Sequence, residues 1–233
     1  MNTATDAPLV HDELDLLADQ VPLAGARIIE LGCGAAALAR ALVQRFADSH
    51  VTALEVDERQ HAKNLAAPAD RISFLSGVSQ SIPFPDAGFD LALMLKSLHH
   101  VPRPQMAQAL AEAARVLRPG GHLYVSEPVY DGPLNDIVKL FNEEREVREA
   151  AQAAVDAALQ GPHWTPVADI RFMTPVHFPD FETFERKMMR PTFADHRIDE
   201  TKLQQVRAAF MPHVGPDGAR FVRPMHVRLL RRA

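Results

Sequence analysis

Five short apolar runs alternate with helical patterns over the first 126 residues, and that alternation constrains the fold more than any other feature. The runs are RIIEL (Arg27 to Leu31), HVTALEV (His50 to Val56), RISFL (Arg71 to Leu75), FDLALML (Phe89 to Leu95) and HLYVS (His122 to Ser126). Each is long enough for a buried strand and too short for a buried helix. Between them, Ala37 to Phe46 and Pro104 to Leu117 repeat apolar residues at the helical period, and Arg118-Pro119-Gly120-Gly121 stops the second helix. Strands joined by helices require crossovers, which are right-handed, so the expected product is a mostly parallel, doubly wound α/β sheet. Ligands of such sheets bind beyond the carboxyl ends of the strands. That places Leu31 to Ala36, Glu55, Gly77 to Ser79, Leu95 to His100 and Glu127 on one rim.

The second half departs from this rhythm. A helix is expected at Val10 to Gln20, and one long helix over Leu134 to Leu159, ended by Gly161-Pro162, where a lid-like insertion could be built. Asp169 to Val176 reads as a sixth strand, Asp180 to Met189 and Thr201 to Met211 as helices, and Ala219 to Leu230 as a last strand, with Pro224 suggesting a bulge or an edge. The expected organisation is one domain over 1–233, with a core at 22–128, a helical insertion at 129–165 and a closing segment at 166–233. At 233 residues and 47% hydrophobic content the chain can bury such a core.

Charge and cysteine content exclude other classes. Formal net charge is -5, and basic residues gather only near the end, so nucleic acid is a poor partner. The lone Cys33 allows neither an internal disulfide nor a cysteine-rich zinc site. No signal-peptide pattern and no apolar run of membrane-spanning length is present, so the expected location is cytoplasmic, away from membrane.

The stretch IIELGCGAAALA carries the first chemical signal. Glycines after a first strand let a ligand approach the backbone, and the following helix offers free N–H groups. Gly32-x-Gly34-x-x-Ala37, with Glu55 about 20 residues on, satisfies a dinucleotide fingerprint. The pattern alone does not separate NAD from S-adenosylmethionine or from a purely structural turn. Glu30 adds a constraint: a carboxylate at a buried strand end asks for a cationic partner, which an amino group would supply.

In these motifs and their order the sequence resembles the small-molecule class I S-adenosylmethionine-dependent methyltransferases of the type 11 kind. The resemblance covers Arg27 to Pro128: IIELGCG, ALEVD, SIPFPDAGFDLALM, LHHVP and RVLRPGGHLYVSEP. It implies a Rossmann-like, seven-stranded sheet whose last strand is antiparallel, with S-adenosylmethionine as cofactor and no metal. Carried over by residue, Glu30 and the Gly32-Cys33-Gly34 backbone would hold the methionine part and Glu55 the ribose hydroxyls. Val56 would pack on the adenine, and Leu95 and Lys96 would lie near the sulfonium. Two positions depart from the family: its third glycine falls at Ala36, and its adenine-binding acid falls at Val78, leaving the Val78 backbone and Ser79 to read the base. Cys33 is expected to be a small apolar filler.

For catalysis, His99 and His100 after the fourth strand and Glu127 ending the fifth would share the rim, where an acid can orient an imidazole as general base. Metal binding by His99, His100 and His122 lacks both a helical pair and an acid cluster. Tyr130, Phe141, Trp164, Arg171, Phe172 and Met173 are candidates for the acceptor pocket, with Tyr130, Phe141 and Arg171 put forward; Arg190 and Arg223 are further cations for an anionic substrate group. The expected function is methyl transfer to an oxygen, nitrogen or carbon of a small molecule. The alternatives are a binding protein of this fold with a decayed cofactor site and a nicotinamide-dependent oxidoreductase.

Overall fold

Polar caps and apolar runs set the elements of this computed structural model, which describes residues 7–192 and 194–233. Asp12 opens α1 (Glu13–Gln20) by accepting from the Leu14 N–H at 2.9 Å, and Asp57 opens α3 (Glu58–Leu65) by accepting from Arg59 N–H. The apolar runs become β1 (Arg27–Leu31), β2 (His50–Glu55), β3 (Ile72–Ser76), β4 (Phe89–Leu95) and β5 (Leu117–Pro128). Between them run α2 (Ala37–Arg45), α3 and α4 (Met106–Val116). After β5 follow α5 (Pro133–Val138), α6 (Arg145–Leu159), β6 (Trp164–Phe178), α7 (Phe181–Phe184), α8 (Glu200–Phe210), β7 (Val214–Gly215) and β8 (Gly218–Arg232).

Seven strands follow the order β3-β2-β1-β4-β5-β8-β6, and the two-residue β7 pairs antiparallel with β8. β1 pairs in parallel with both β2 and β4, β2 with β3, and β4 with β5. The sheet is thus the mixed Rossmann-like one expected, with the chain's last strand antiparallel and lying between β5 and β6. The register puts Glu30 level with Leu93, and Leu93 level with Tyr124. These three share a face, because level partners point the same way. Tyr124 donates to Glu13 of α1 at 3.2 Å, so this is the face that α1 covers. The opposite face carries Ile29, Ala92, Met94, Leu123 and Val125, packed with Met106, Leu110 and Ala113 of α4. Each such large side chain, fully buried, contributes about 1.5–3 kcal/mol.

Two compact units divide the described chain. One holds Asp12–Glu127, Val147–Ile170 and His226–Ala233, and therefore the sheet core and the glycine turn. The other holds Pro128–Glu146 and Arg171–Met225, with the described residues up to His11. In it Phe178, Phe181, Phe184, Phe210 and Phe221 form their own core with Leu134, Ile137 and Val206. Phe184 and Phe210 lie 4.8 Å apart, and Phe178 meets Phe184 edge-on at 5.1 Å. No helix among the described residues is long and apolar enough to cross a membrane.

Four expectations need correction. The helix over 134–159 is two helices: α5 ends at Val138, and α6 restarts after Glu143 accepts from the Arg145 N–H at 2.9 Å. The strand-helix rhythm also continues, since Ala151 and Val155 of α6 pack with Trp164 and Leu117 in the sheet core. α6 is therefore the crossover helix between β5 and β6, and Trp164 is a core residue. The helix expected from Val10 begins at Glu13, behind its Asp12 cap. Finally, Asp180 to Met189 is one α-turn followed by a π-helical turn, Glu185–Met189, in which the Arg190 N–H bonds Glu185 O.

Candidate cofactor and catalytic site

β1 delivers Glu30 and Leu31 to the rim, and the chain then turns through Gly32 and Gly34 with φ of +79° and +53°. The two glycines serve different purposes. A Cβ at Gly32 would sit 2.8 Å from Ser97 Cβ, while Ser97 Oγ donates to Leu31 O at 2.7 Å, so Gly32 lets β1 and the end of β4 close together. A Cβ at Gly34 would meet nothing within 4 Å. Gly34 thus keeps an open face toward the rim, the place where a ligand could approach the backbone.

Ala36, where the family has glycine, takes up the left-handed conformation with φ 55° and ψ 35°. An alanine pays about 1 kcal/mol or somewhat more for this, and the fully buried methyl is packed inside the protein. The turn is closed by the Ala36 N–H on Cys33 O at 2.8 Å. Burial pushes the Cys33 thiol up to about 12, with Glu30 and Glu55 adding to the effect. It remains a neutral thiol, in keeping with a filler.

Glu30 is 4% exposed, and its Oε2 has no hydrogen-bond partner among the described residues. Burial raises its carboxyl to about 8, against the lowering effects of the Ala39 N–H and of Lys96. A buried acid with an empty valence at the head of a glycine turn is incomplete by itself. Glu55, at the end of β2, accepts from the Gly34 N–H at 2.6 Å and from Asp57 N–H at 2.9 Å. Val56 follows it with 62% of its surface exposed, an apolar side chain mostly open to solvent.

The segment after β3 is held from below. Arg115 on α4 ties Ile82 O, Phe84 O and Asp86, and Glu112 accepts from the Ile82 N–H. Val78 and Ser79 are half-buried, and Val78 O accepts from Ser81 N–H at 3.3 Å. Leu95 is half-buried and Lys96 exposed, the latter with φ 53° and its N–H on Ser126 O.

The ends of β4 and β5 bring His99 and Glu127 together. His99 Nδ1 bonds Glu127 Oε2, and Glu127 Oε1 accepts from the Leu98 N–H at 2.9 Å. Both side chains are buried, at 4% and 1% exposure. A carboxylate on Nδ1 fixes the tautomer, leaving the Nε2 lone pair as the ring's basic position. His100 is exposed, its ring 4.0 Å from that of His99. His122 is half-buried, and burial together with Arg231 and Arg118 lowers its pKa.

Tyr130, Phe141 and Arg171 belong to the other unit. Tyr130 donates to Glu143 at 2.7 Å beneath the Arg145 guanidinium, Phe141 packs edge-on against Phe184, and Arg171 is exposed. Phe172 is buried and Met173 O accepts from Val10 N–H. Asn64 was missed by sequence reading. It is a buried polar residue of α3 that donates to Gly34 O at 2.8 Å. Its signal was an amide at a helix position otherwise suited to an apolar side chain, four residues after Gln60.

Residues 28–121 match the methyltransferase domain family. Among curated proteins, the chain is 38% identical over 119 residues to 27-O-demethylrifamycin SV methyltransferase of Amycolatopsis mediterranei, covering 48% of this chain and 43% of that one. It is 36% identical over 125 residues to the fatty-acid O-methyltransferase of Mycolicibacterium smegmatis, covering 50% and 43%. The matches thus span less than half the length of these relatives. The fold of an S-adenosylmethionine-dependent methyltransferase from Mesorhizobium loti covers 94% of this chain and 97% of its own, with TM-score 0.55 and 17% identity. Residues 28–121 thus match a methyltransferase domain, on a fold shared with solved methyltransferases.

Proposed function

We propose that the protein transfers a methyl group from S-adenosylmethionine to a hydroxyl of a small molecule. The observation that carries the reading is Glu30: a buried carboxylate with an unfilled oxygen, beside a glycine whose open face admits a ligand. The residues fit the cofactor. Glu30 offers a carboxyl oxygen to its amino group, the Gly32–Gly34 backbone a close approach, Glu55 acceptor oxygens to ribose hydroxyls, and Val56 an apolar surface to the base. Bound S-adenosylmethionine supplies an electrophilic methyl group on a positively charged sulfur.

The protein's own share is positioning and proton removal. Holding an acceptor at attack distance supplies much of the acceleration. A hydroxyl must also lose its proton, and His99 Nε2 accepts it while Glu127 stabilises the imidazolium that forms. That pairing favours oxygen over carbon as the methylated atom, and O-methyl transfer is also what the two curated relatives' names describe.

Methyl transfer from labelled S-adenosylmethionine to a panel of hydroxylated small molecules and carboxylic acids tests the reading. The expected result is turnover on a hydroxyl acceptor that falls about 10²–10⁴-fold in His99→Gln, with cofactor affinity retained; a carboxylic acid, already ionised, would not depend on His99. Equal turnover in His99→Gln removes the general base, and transfer only to carbon acceptors overturns the oxygen assignment.

A further inference from the structure

The glycine turn contains one residue held from both ends by side chains. Gly34 gives its N–H to Glu55 Oε2 at 2.6 Å and its carbonyl to Asn64 Nδ2 at 2.8 Å. Glu55 is the group proposed above to serve the ribose, so its hold on the turn is shared with a ligand. Asn64 is not: it is 3% exposed, and its remaining contacts are with protein. Nδ2 also approaches Cys33 Sγ at 3.6 Å, and Oδ1 accepts from Gln60 Nε2 at 3.0 Å, one helical turn back. This network has only one consistent orientation. Gly34 O can only accept, so the amide nitrogen faces the turn and the oxygen faces Gln60.

The brace sits beside a weakness. Ala36, two residues on, is held left-handed without a glycine's freedom. An apolar residue at 64 would suit that buried position but would leave the Gly34 carbonyl with only the weak Cys33 thiol donor at 3.5 Å, and the strained turn would lose its fixed peptide. We propose that Asn64, oriented by Gln60, is a positioning residue that locks the glycine turn in its ligand-accepting conformation and thereby offsets the alanine at 36. The inference rests on the cofactor reading above and adds a residue to it.

The test measures S-adenosylhomocysteine binding by calorimetry and amide hydrogen exchange at Cys33 to Ala36, in wild type, Asn64→Leu, Gln60→Ala and Asn64→Leu/Ala36→Gly. Asn64→Leu is expected to weaken binding about tenfold, equivalent to about 1.4 kcal/mol, and to speed exchange in the turn of the ligand-free protein. Gln60→Ala, on a half-buried and more tolerant position, is expected to weaken binding about threefold; it carries the test if Asn64→Leu does not fold. Adding Ala36→Gly to Asn64→Leu is expected to recover most of the lost affinity, which a general packing defect would not. Unchanged affinity and turn exchange in Asn64→Leu, even with a lowered melting temperature, overturns the proposal. If wild type fails to bind, the cofactor reading falls, and turn exchange alone decides whether Asn64 is a brace.

Discussion

Glu30 on the rim of the sheet and the phenylalanine cluster of the second unit are both buried, yet they differ in completeness. In the cluster, Phe178, Phe181, Phe184, Phe210 and Phe221 satisfy one another with ring contacts and need nothing further. At the rim, Glu30 keeps an oxygen without a partner among the described residues, Gly34 faces open space and Val56 is mostly exposed. Burial alone therefore does not distinguish core from site. On the cofactor reading, one region is finished by its own side chains and the other by a ligand.

The contrast is sharpest where packing energy is largest. Phe210→Ala, at a fully buried ring touching four other phenylalanines, is expected to cost about 3–5 kcal/mol in urea unfolding. Ligand addition should not rescue it specifically. A cost under about 1 kcal/mol would show that the cluster is not a packed core.

Glu30 makes the opposite case, because its burial is unfavourable to the charged form. Its carboxyl titrates near 8 in the folded protein instead of 4.5. Between those values the folded state holds a proton that the unfolded chain has released. Its contribution to stability is therefore complete below pH 4.5 and is lost as pH rises through 8. Wild type is expected to lose a few kcal/mol across that window, at about 1.4 kcal/mol per pKa unit, and Glu30→Gln is expected to flatten the slope. Parallel pH profiles for the two proteins would show that Glu30 is not held protonated.

The glycines refine the comparison within the rim itself. Gly32→Ala strains a φ of +79° and drives a Cβ to 2.8 Å from Ser97. It should cost about 1–3 kcal/mol in stability. Gly34→Ala, with open space around its new methyl, should cost only about 1 kcal/mol yet reduce S-adenosylhomocysteine affinity by more than tenfold. Equal effects of the two on stability and on binding would erase the distinction between a packing glycine and a ligand-facing one.

Much of this was legible in the sequence, and the reasons differ by region. RIIEL and FDLALML become strands at the residues expected, since a short, mostly apolar run is long enough for a buried strand and too short for a buried helix. The same periodicity misread 134–159, where apolar residues continue in register across the break at 139–144 but Pro133 and the Glu143 cap divide them between two helices. Glu30, Glu55 and the glycines announced themselves by type and spacing. Asn64 did not, because its role is a contact with a turn 30 residues away, and a single sequence records no such contacts. Ala36 shows the limit of propensity: the fold imposes on an alanine the conformation that the residue resists.

The most direct test of the cofactor reading is a thermal-shift titration of the protein with S-adenosylhomocysteine and, in parallel, with NAD. A ligand at about 100 times its dissociation constant adds about 2.7 kcal/mol to stability. The expected result is a dose-dependent rise in melting temperature with S-adenosylhomocysteine, absent with NAD and much reduced in Glu55→Ala. A rise with NAD alone, or none with either ligand, would contradict the assignment of the turn at Gly32 to Gly34 to a methyl donor.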